Sequence, residues 1–131
     1  MNIPCPCNSN NMYNECCAPF HKGVAFAETA EELMRSRYSA YAMKCYDYLC
    51  DTTYKPTSNL KEEVSSWGNA VLSWKSLEII KIEKGSKSDK KGIVEYIAIY
   101  FINEGLGQIH ESSKFLKKKN KWYYVSGDFL S

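Results

Sequence analysis

Four of the six cysteines in this 131-residue chain fall inside thirteen residues, the segment CPCNSNNMYNECC at positions 5–17. A stretch this short cannot run as a helix or strand and still gather its thiols, so it has to turn back on itself. Its other residues permit that. Asn8, Ser9, Asn10, Asn11 and Asn14 tolerate left-handed backbone and make local turns. Pro4 and Pro6 stiffen the first cysteine pair, and Pro19 limits the exit from the second.

What four clustered thiols do depends on the compartment. The first twenty residues carry neither a basic start nor an apolar run, so no secretory leader is expected. No stretch approaches the ~20 apolar residues of a membrane helix. The expected setting is therefore a reducing cytosol, where disulfides rarely persist. Thiolates are soft ligands that suit zinc, which takes four of them tetrahedrally at about 2.3 Å. One structural Zn2+ held by Cys5, Cys7, Cys16 and Cys17 is the resulting expectation. A disulfide-bonded loop or a set of redox thiols is the alternative, although adjacent Cys16 and Cys17 are poorly placed to bridge each other. His21, four residues further on, is a substitute ligand or a buttress for one. The formal net charge of +2 would fall to about zero once four thiolates and a divalent cation are counted. Four protein thiolates leave no open coordination position, so such a site builds structure and does not activate water.

CPCNSNNMYNECC resembles the SEC-C zinc motif, usually written CPCGSGxxYxxCC, with both cysteine pairs, Pro6, Ser9 and Tyr13 in place. Asn8 and Asn10 stand where that motif has glycine, and asparagine is the next best residue for positive φ. The resemblance continues through AETAEELMRSRYSAYAMKCYDYL (27–49), WKSLEI (74–79), GIVEYIAIY (92–100), HESSKF (110–115) and KWYYVSGD (121–128). Together these are similar, in order, to the YchJ-like family of bacterial proteins. The family's Thr-x-His-Pro is altered here to Thr52-Thr53-Tyr54-Lys55-Pro56. The resemblance implies a zinc knuckle over 1–22 and a nuclear transport factor 2-like domain over 23–131. In that fold a bent sheet wraps a long helix into a cone, often with an interior pocket and often dimeric through the sheet.

The residues by themselves give a compatible plan. A hydrophobic content of 44% with 14% aromatics is that of a packed domain. Thr29 and Glu32 have capping-box spacing, and Met34, Tyr38, Tyr41, Cys45 and Tyr48 then recur at helical steps, with a break expected over 44–47. Asn59 and Glu62 start another helix that Gly68 stops. After Trp74 the chemistry turns to β, with strands over 77–84, 93–102, 108–117 and 121–129. Helices first and a four-stranded antiparallel meander after is an α+β fold. The 29–130 core is expected to need nothing from the knuckle.

Candidate sites beyond the metal are fewer. Tyr38, Tyr41, Trp67, Trp74 and His110 are the residues that could line a pocket in the cone, with His110 as a general base or a bonded core histidine. His110 and Glu111 are strand neighbours and point to opposite faces. Arg35 and Arg37, two apart on a helix, diverge by about 200°, so one is expected to pair with Asp47 or Asp128 and the other to face solvent. Lys117, Lys118, Lys119 and Lys121 surround a turn beside Trp122, but 17 basic against 15 acidic residues give no broad basic face, and nucleic acid ranks behind a protein partner. Strand 93–102 is apolar on both faces apart from Glu95, so its outer face calls for a cover, either a second copy of the chain or the knuckle. The leading functional expectation is a zinc-ordered knuckle that docks a protein partner through Met12 or Phe20. A ligand site or enzyme in the cone is the runner-up, and single-stranded nucleic acid comes third.

Overall fold

The computed structural model describes residues 3–68, 72–103 and 105–130, with backbone alone for 66–68 and 72. A single turn of 3-10 helix at Tyr13–Glu15 is followed by α1 (Ala18–His21), α2 (Ala30–Met43), α3 (Tyr46–Asp51) and α4 (Leu60–Gly68). Then come β1 (Leu72–Lys84), β2 (Lys91–Ile102), β3 (Gly105–Lys118) and β4 (Lys121–Phe129), paired antiparallel in sequence order as one sheet. The fold is α+β, an N-terminal cysteine knuckle followed by helices on a four-stranded meander.

Local chemistry accounts for most element ends. Thr29 Oγ1 accepts the Glu32 amide at 3.1 Å, and the Glu32 carboxylate reaches back to the Glu28 amide at 2.7 Å, which together fix the start of α2. Lys44 takes a left-handed φ of 61° and returns its amide to Ala40, so the helix stops where the break was expected. Lys119 and Asn120 both have positive φ, as a two-residue hairpin between β3 and β4 requires. The β2–β3 connection is shorter than the gap between the expected strands 93–102 and 108–117, because Gly105 and Gly107 belong to β3. A Cβ at Gly107 would lie 2.3 Å from the Tyr100 ring, so this glycine lets an aromatic side chain cross the strand and does not mark a turn.

The sheet alternates cleanly. Val94, Tyr96 and Ala98 of β2 and Glu111, Ser113 and Phe115 of β3 face inward, and the inward apolar residues share one buried cluster with Leu33, Met34 and Tyr38 of α2. Cys5, Cys7 and Cys17 belong to that same cluster. The knuckle therefore contributes to the core of the residues that follow it, contrary to the expectation of an independent core. It sits against α2, leaving Ile93, Ile97, Ile99 and Phe101 on the outward side of β2 with no cover from the knuckle.

Candidate metal centre

The knuckle is a short hairpin. Asn8 and Asn10 adopt φ of 62° and 73°, the left-handed conformation that glycine would otherwise supply. The two arms are joined by a bridge between Pro4 and Met12, by the Cys5 amide on the Asn11 carbonyl at 2.9 Å and by the Tyr13 amide on the Ile3 carbonyl at 2.7 Å. The four Sγ atoms of Cys5, Cys7, Cys16 and Cys17 consequently lie within 4.8 Å of one another. Cys7 and Cys16 are 3.6 Å apart and Cys16 and Cys17 3.9 Å, and none of the six cysteines is in a disulfide. Sulfurs arranged tetrahedrally about 2.3 Å from a central ion are separated by about 3.8 Å. The cluster can hold a metal ion of that kind.

The surroundings are built for sulfur anions. Ser39, fully buried on α2, points its hydroxyl at two of them, 3.3 Å from Cys17 and 3.5 Å from Cys5. Ser9 Oγ lies 3.1 Å from Cys16 Sγ. Arg35 donates from Nη1 to the Cys7 carbonyl at 2.7 Å and from Nε to Glu31 at 3.0 Å, which places a cation beside the cluster. Without a metal the sulfurs must share protons. Hydrogen bonds from Cys17 and Cys7 hold Cys5 far below the ordinary thiol range, and its bond to Cys5 pushes Cys17 far up. Burial pushes Cys16 up to about 11. A divalent cation would displace the protons these sulfurs share.

His21 is not a substitute ligand. Its Nε2 donates to the Ser36 carbonyl at 2.8 Å, which leaves Nδ1 to accept the Tyr13 hydroxyl at 2.7 Å, with Cys45 Sγ 3.7 Å away. Burial pulls its pKa down and favours that neutral form. The ring clamps the knuckle to α2. Of the candidate docking residues, Met12 is 38% exposed, whereas Phe20 is half-buried. Tyr13 packs against the core cluster.

The expected pocket does not assemble as proposed. Tyr38, Tyr41 and Trp74 do converge, with Tyr38 edge-on to Trp74 at 5.5 Å and Tyr41 at 6.4 Å. The Trp67 side chain lies outside the described residues. His110 is on the other face of the sheet. It pairs with outward Ile97 in the ladder and bonds Glu95 at 2.7 Å, because inward Tyr96 takes Glu111 as its partner. Among the described residues, the buried ionisable side chains facing inward include Glu111, which accepts from Tyr96 and Ser113, and Arg37.

Both arginine expectations also change. Arg37 is buried and donates to the Leu49 carbonyl and the Thr52 and Thr53 hydroxyls, at 2.9, 2.7 and 3.1 Å, with its guanidinium 4.6 Å from the Tyr124 ring centre. Asp47 is occupied by Lys61 at 2.9 Å. The sequence reading passed over Ser39. The available signal was a pair of small hydroxyls at helical spacing, Ser36 and Ser39, since a buried hydroxyl needs a partner.

Comparison with known proteins agrees with this architecture. Residues 29–127 match the family model described as the middle, nuclear transport factor 2-like domain of YchJ. A UPF0225 protein of Vibrio parahaemolyticus is 39% identical over 95% of this chain and 74% of its own length. One from Sodalis glossinidius is 37% identical over 97% and 84%. The solution structure of a SEC-C motif containing protein from Rhodopseudomonas palustris superposes with a TM-score of 0.85 at 28% identity, covering 98% of this chain and all of that one. A crystal structure of another from Psychrobacter arcticus gives 0.78 at 27% identity, covering 100% and 84%. A matched domain model over most of the chain, with a SEC-C type cysteine cluster in front of it, places this protein in the YchJ-like family.

Proposed function

We propose that Cys5, Cys7, Cys16 and Cys17 bind one zinc ion, and that the ion fixes the knuckle as a docking surface for a protein partner. The choice of zinc rests on the donor set, four soft sulfurs spaced for a closed tetrahedron. When bound, the ion supplies cross-linking and no reactive site. The protein's own part is to orient the sulfurs through Ser39 and Ser9, balance their charge through Arg35 and anchor the hairpin through His21.

The observation that carries the docking reading is the joint exposure of Ile3 and Met12. They stand on the two bridged arms of the hairpin, 37% and 38% exposed, where a metal-closed loop holds them rigid. Small interfaces are dominated by such fixed apolar anchors in a few positions. Reduced thiolates also require a reducing compartment, which supports the cytosol.

The test combines metal content with capture. Atomic emission is expected to find one zinc per chain. Met12→Glu is expected to abolish capture of a partner from native lysate without lowering the melting temperature. Chelation is expected to abolish capture as well, and to lower the melting temperature of the whole domain because three of the cysteines are in its core. Metal-free protein with four freely titrating thiols would end the zinc reading. Capture unchanged by Met12→Glu would end the docking reading.

A further inference from the structure

The total charge of +2 hides a strong segregation. The β1–β2 loop brings Lys87, Lys90 and Lys91 beside the β3–β4 hairpin, where the Lys117 amide bonds the Lys90 carbonyl at 2.8 Å and the Lys117 ammonium bonds the Lys87 carbonyl. The hairpin itself carries Lys117, Lys118, Lys119 and Lys121. Lys55 joins from the α3–α4 connection, because the Tyr54 amide is held on the Tyr124 carbonyl at 2.8 Å. Four carboxylates accompany these eight lysines. Glu28 pairs with Lys87 at 3.0 Å with Glu32 beside it, Asp89 folds back on Ser86, and Asp51 borders a groove beside the hairpin. Eight against four leaves +4 at this end of the sheet, and −2 for everything else.

Aromatic faces lie among these cations on both flanks of the hairpin. On one flank a groove of about 380 Å3 is lined by Tyr54 and Tyr123, whose ring centres are 6.3 Å apart, together with Lys55, Lys118 and Lys119. The ammonium groups of Lys55 and Lys118 stand 5.4 and 5.6 Å from the Tyr54 ring centre. On the other flank Phe26, 57% exposed, lies 4.4 Å below Lys121 in a hollow shared with Lys117. Trp122, the aromatic the sequence singles out here, is instead buried and donates its indole N–H to the Glu28 backbone carbonyl.

From this arrangement we infer that the β3–β4 hairpin end is a binding surface for single-stranded nucleic acid. A cationic ridge tracks phosphates, and flanking rings give unpaired bases a face to stack on. A duplex, with its bases already stacked, could use only the ridge. An acidic peptide could pair with the lysines but has no use for two aromatic platforms on opposite sides of them. The surface is separate from the knuckle, so the inference stands independently of the docking reading.

Fluorescence anisotropy with the zinc-loaded full chain and a fluorescein-labelled twelve-residue oligouridylate tests it. Saturable binding is expected at low salt, with log K falling against log salt by a slope of about −3 if four phosphates are neutralised. Lys118→Glu together with Lys119→Glu should abolish binding. Tyr54→Ala should weaken it about ten-fold or more, the loss of one stacked base. Lys22→Glu on the knuckle should leave it unchanged. Absence of saturable binding would overturn the inference. So would a duplex of equal length or polyglutamate binding as tightly as the single strand, or indifference to Tyr54→Ala.

Discussion

Replacing Ser39 by alanine separates the metal centre from the fold that carries it. The Ser39 hydroxyl is fully buried and hydrogen-bonds the sulfurs of Cys5 and Cys17, at 3.5 and 3.3 Å. A hydrogen bond to a charged group contributes about 1.5–3 kcal/mol, and loss of a group that orients metal ligands weakens binding about 10–100-fold. The two estimates coincide, since a hundred-fold is about 2.7 kcal/mol. Alanine is also the better helix former by roughly 0.5 kcal/mol, which offsets part of the hydrogen bonding lost in the metal-free protein. Affinity is therefore expected to fall by a larger free energy than metal-free stability. Competition against a zinc-chelating indicator gives the first quantity and thermal unfolding in excess chelator gives the second. Ser36→Ala is the control. Its hydroxyl is equally buried but bonds the Leu33 carbonyl and the Tyr48 hydroxyl, so stability should fall by about 1 kcal/mol with affinity unchanged. Zinc affinity within two-fold of the parent in Ser39→Ala, or an equal loss in Ser36→Ala, would refute the assignment of Ser39 to the sulfur cluster.

Two further substitutions test the packing. Arg37→Ala leaves the Leu49 carbonyl and two threonine hydroxyls without their shared donor and uncovers Tyr124, so a loss of about 3 kcal/mol and roughly 10 °C is expected in calorimetry. Arg37→Lys should recover less than half of it, because an ammonium neither stacks on the ring nor sheds water as readily. Gly107→Ala should cost about 1–3 kcal/mol in denaturant unfolding through its clash with Tyr100. Gly105→Ala, whose nearest neighbour to a new Cβ is a carbonyl 3.9 Å away, should be close to neutral, and equal effects would show that Tyr100 does not cross the strand as described.

The sequence by itself determined what depends on neighbours a few residues apart. The knuckle was legible because cysteine spacing and asparagines at positions 8 and 10 act through local turns. The start of α2 at Thr29, its end at Lys44 and the strand order were legible because capping and two-residue alternation are local as well. Alternation also separated His110 from Glu111, although it could not say which of the two faces the helices. That was decided by the register that sets Tyr96 opposite Glu111 and Ile97 opposite His110. Gly107 fell outside the expected strand 108–117 because a glycine that opens a turn and one that yields to a ring on the paired strand look alike in a sequence.

Tertiary structure alone decided the rest. Ser39 reaches Cys17 across 22 positions, and Arg35 reaches the Cys7 carbonyl across 28. His21 is drawn away from the sulfur cluster to Ser36 by the packing of the knuckle on α2. The lysines of two separate turns and the α3–α4 connection form one field only because the meander stacks those turns at the same end of the sheet. Net charge is a property of composition, whereas potential depends on where the chain carries each charge, and only the folded backbone fixes that.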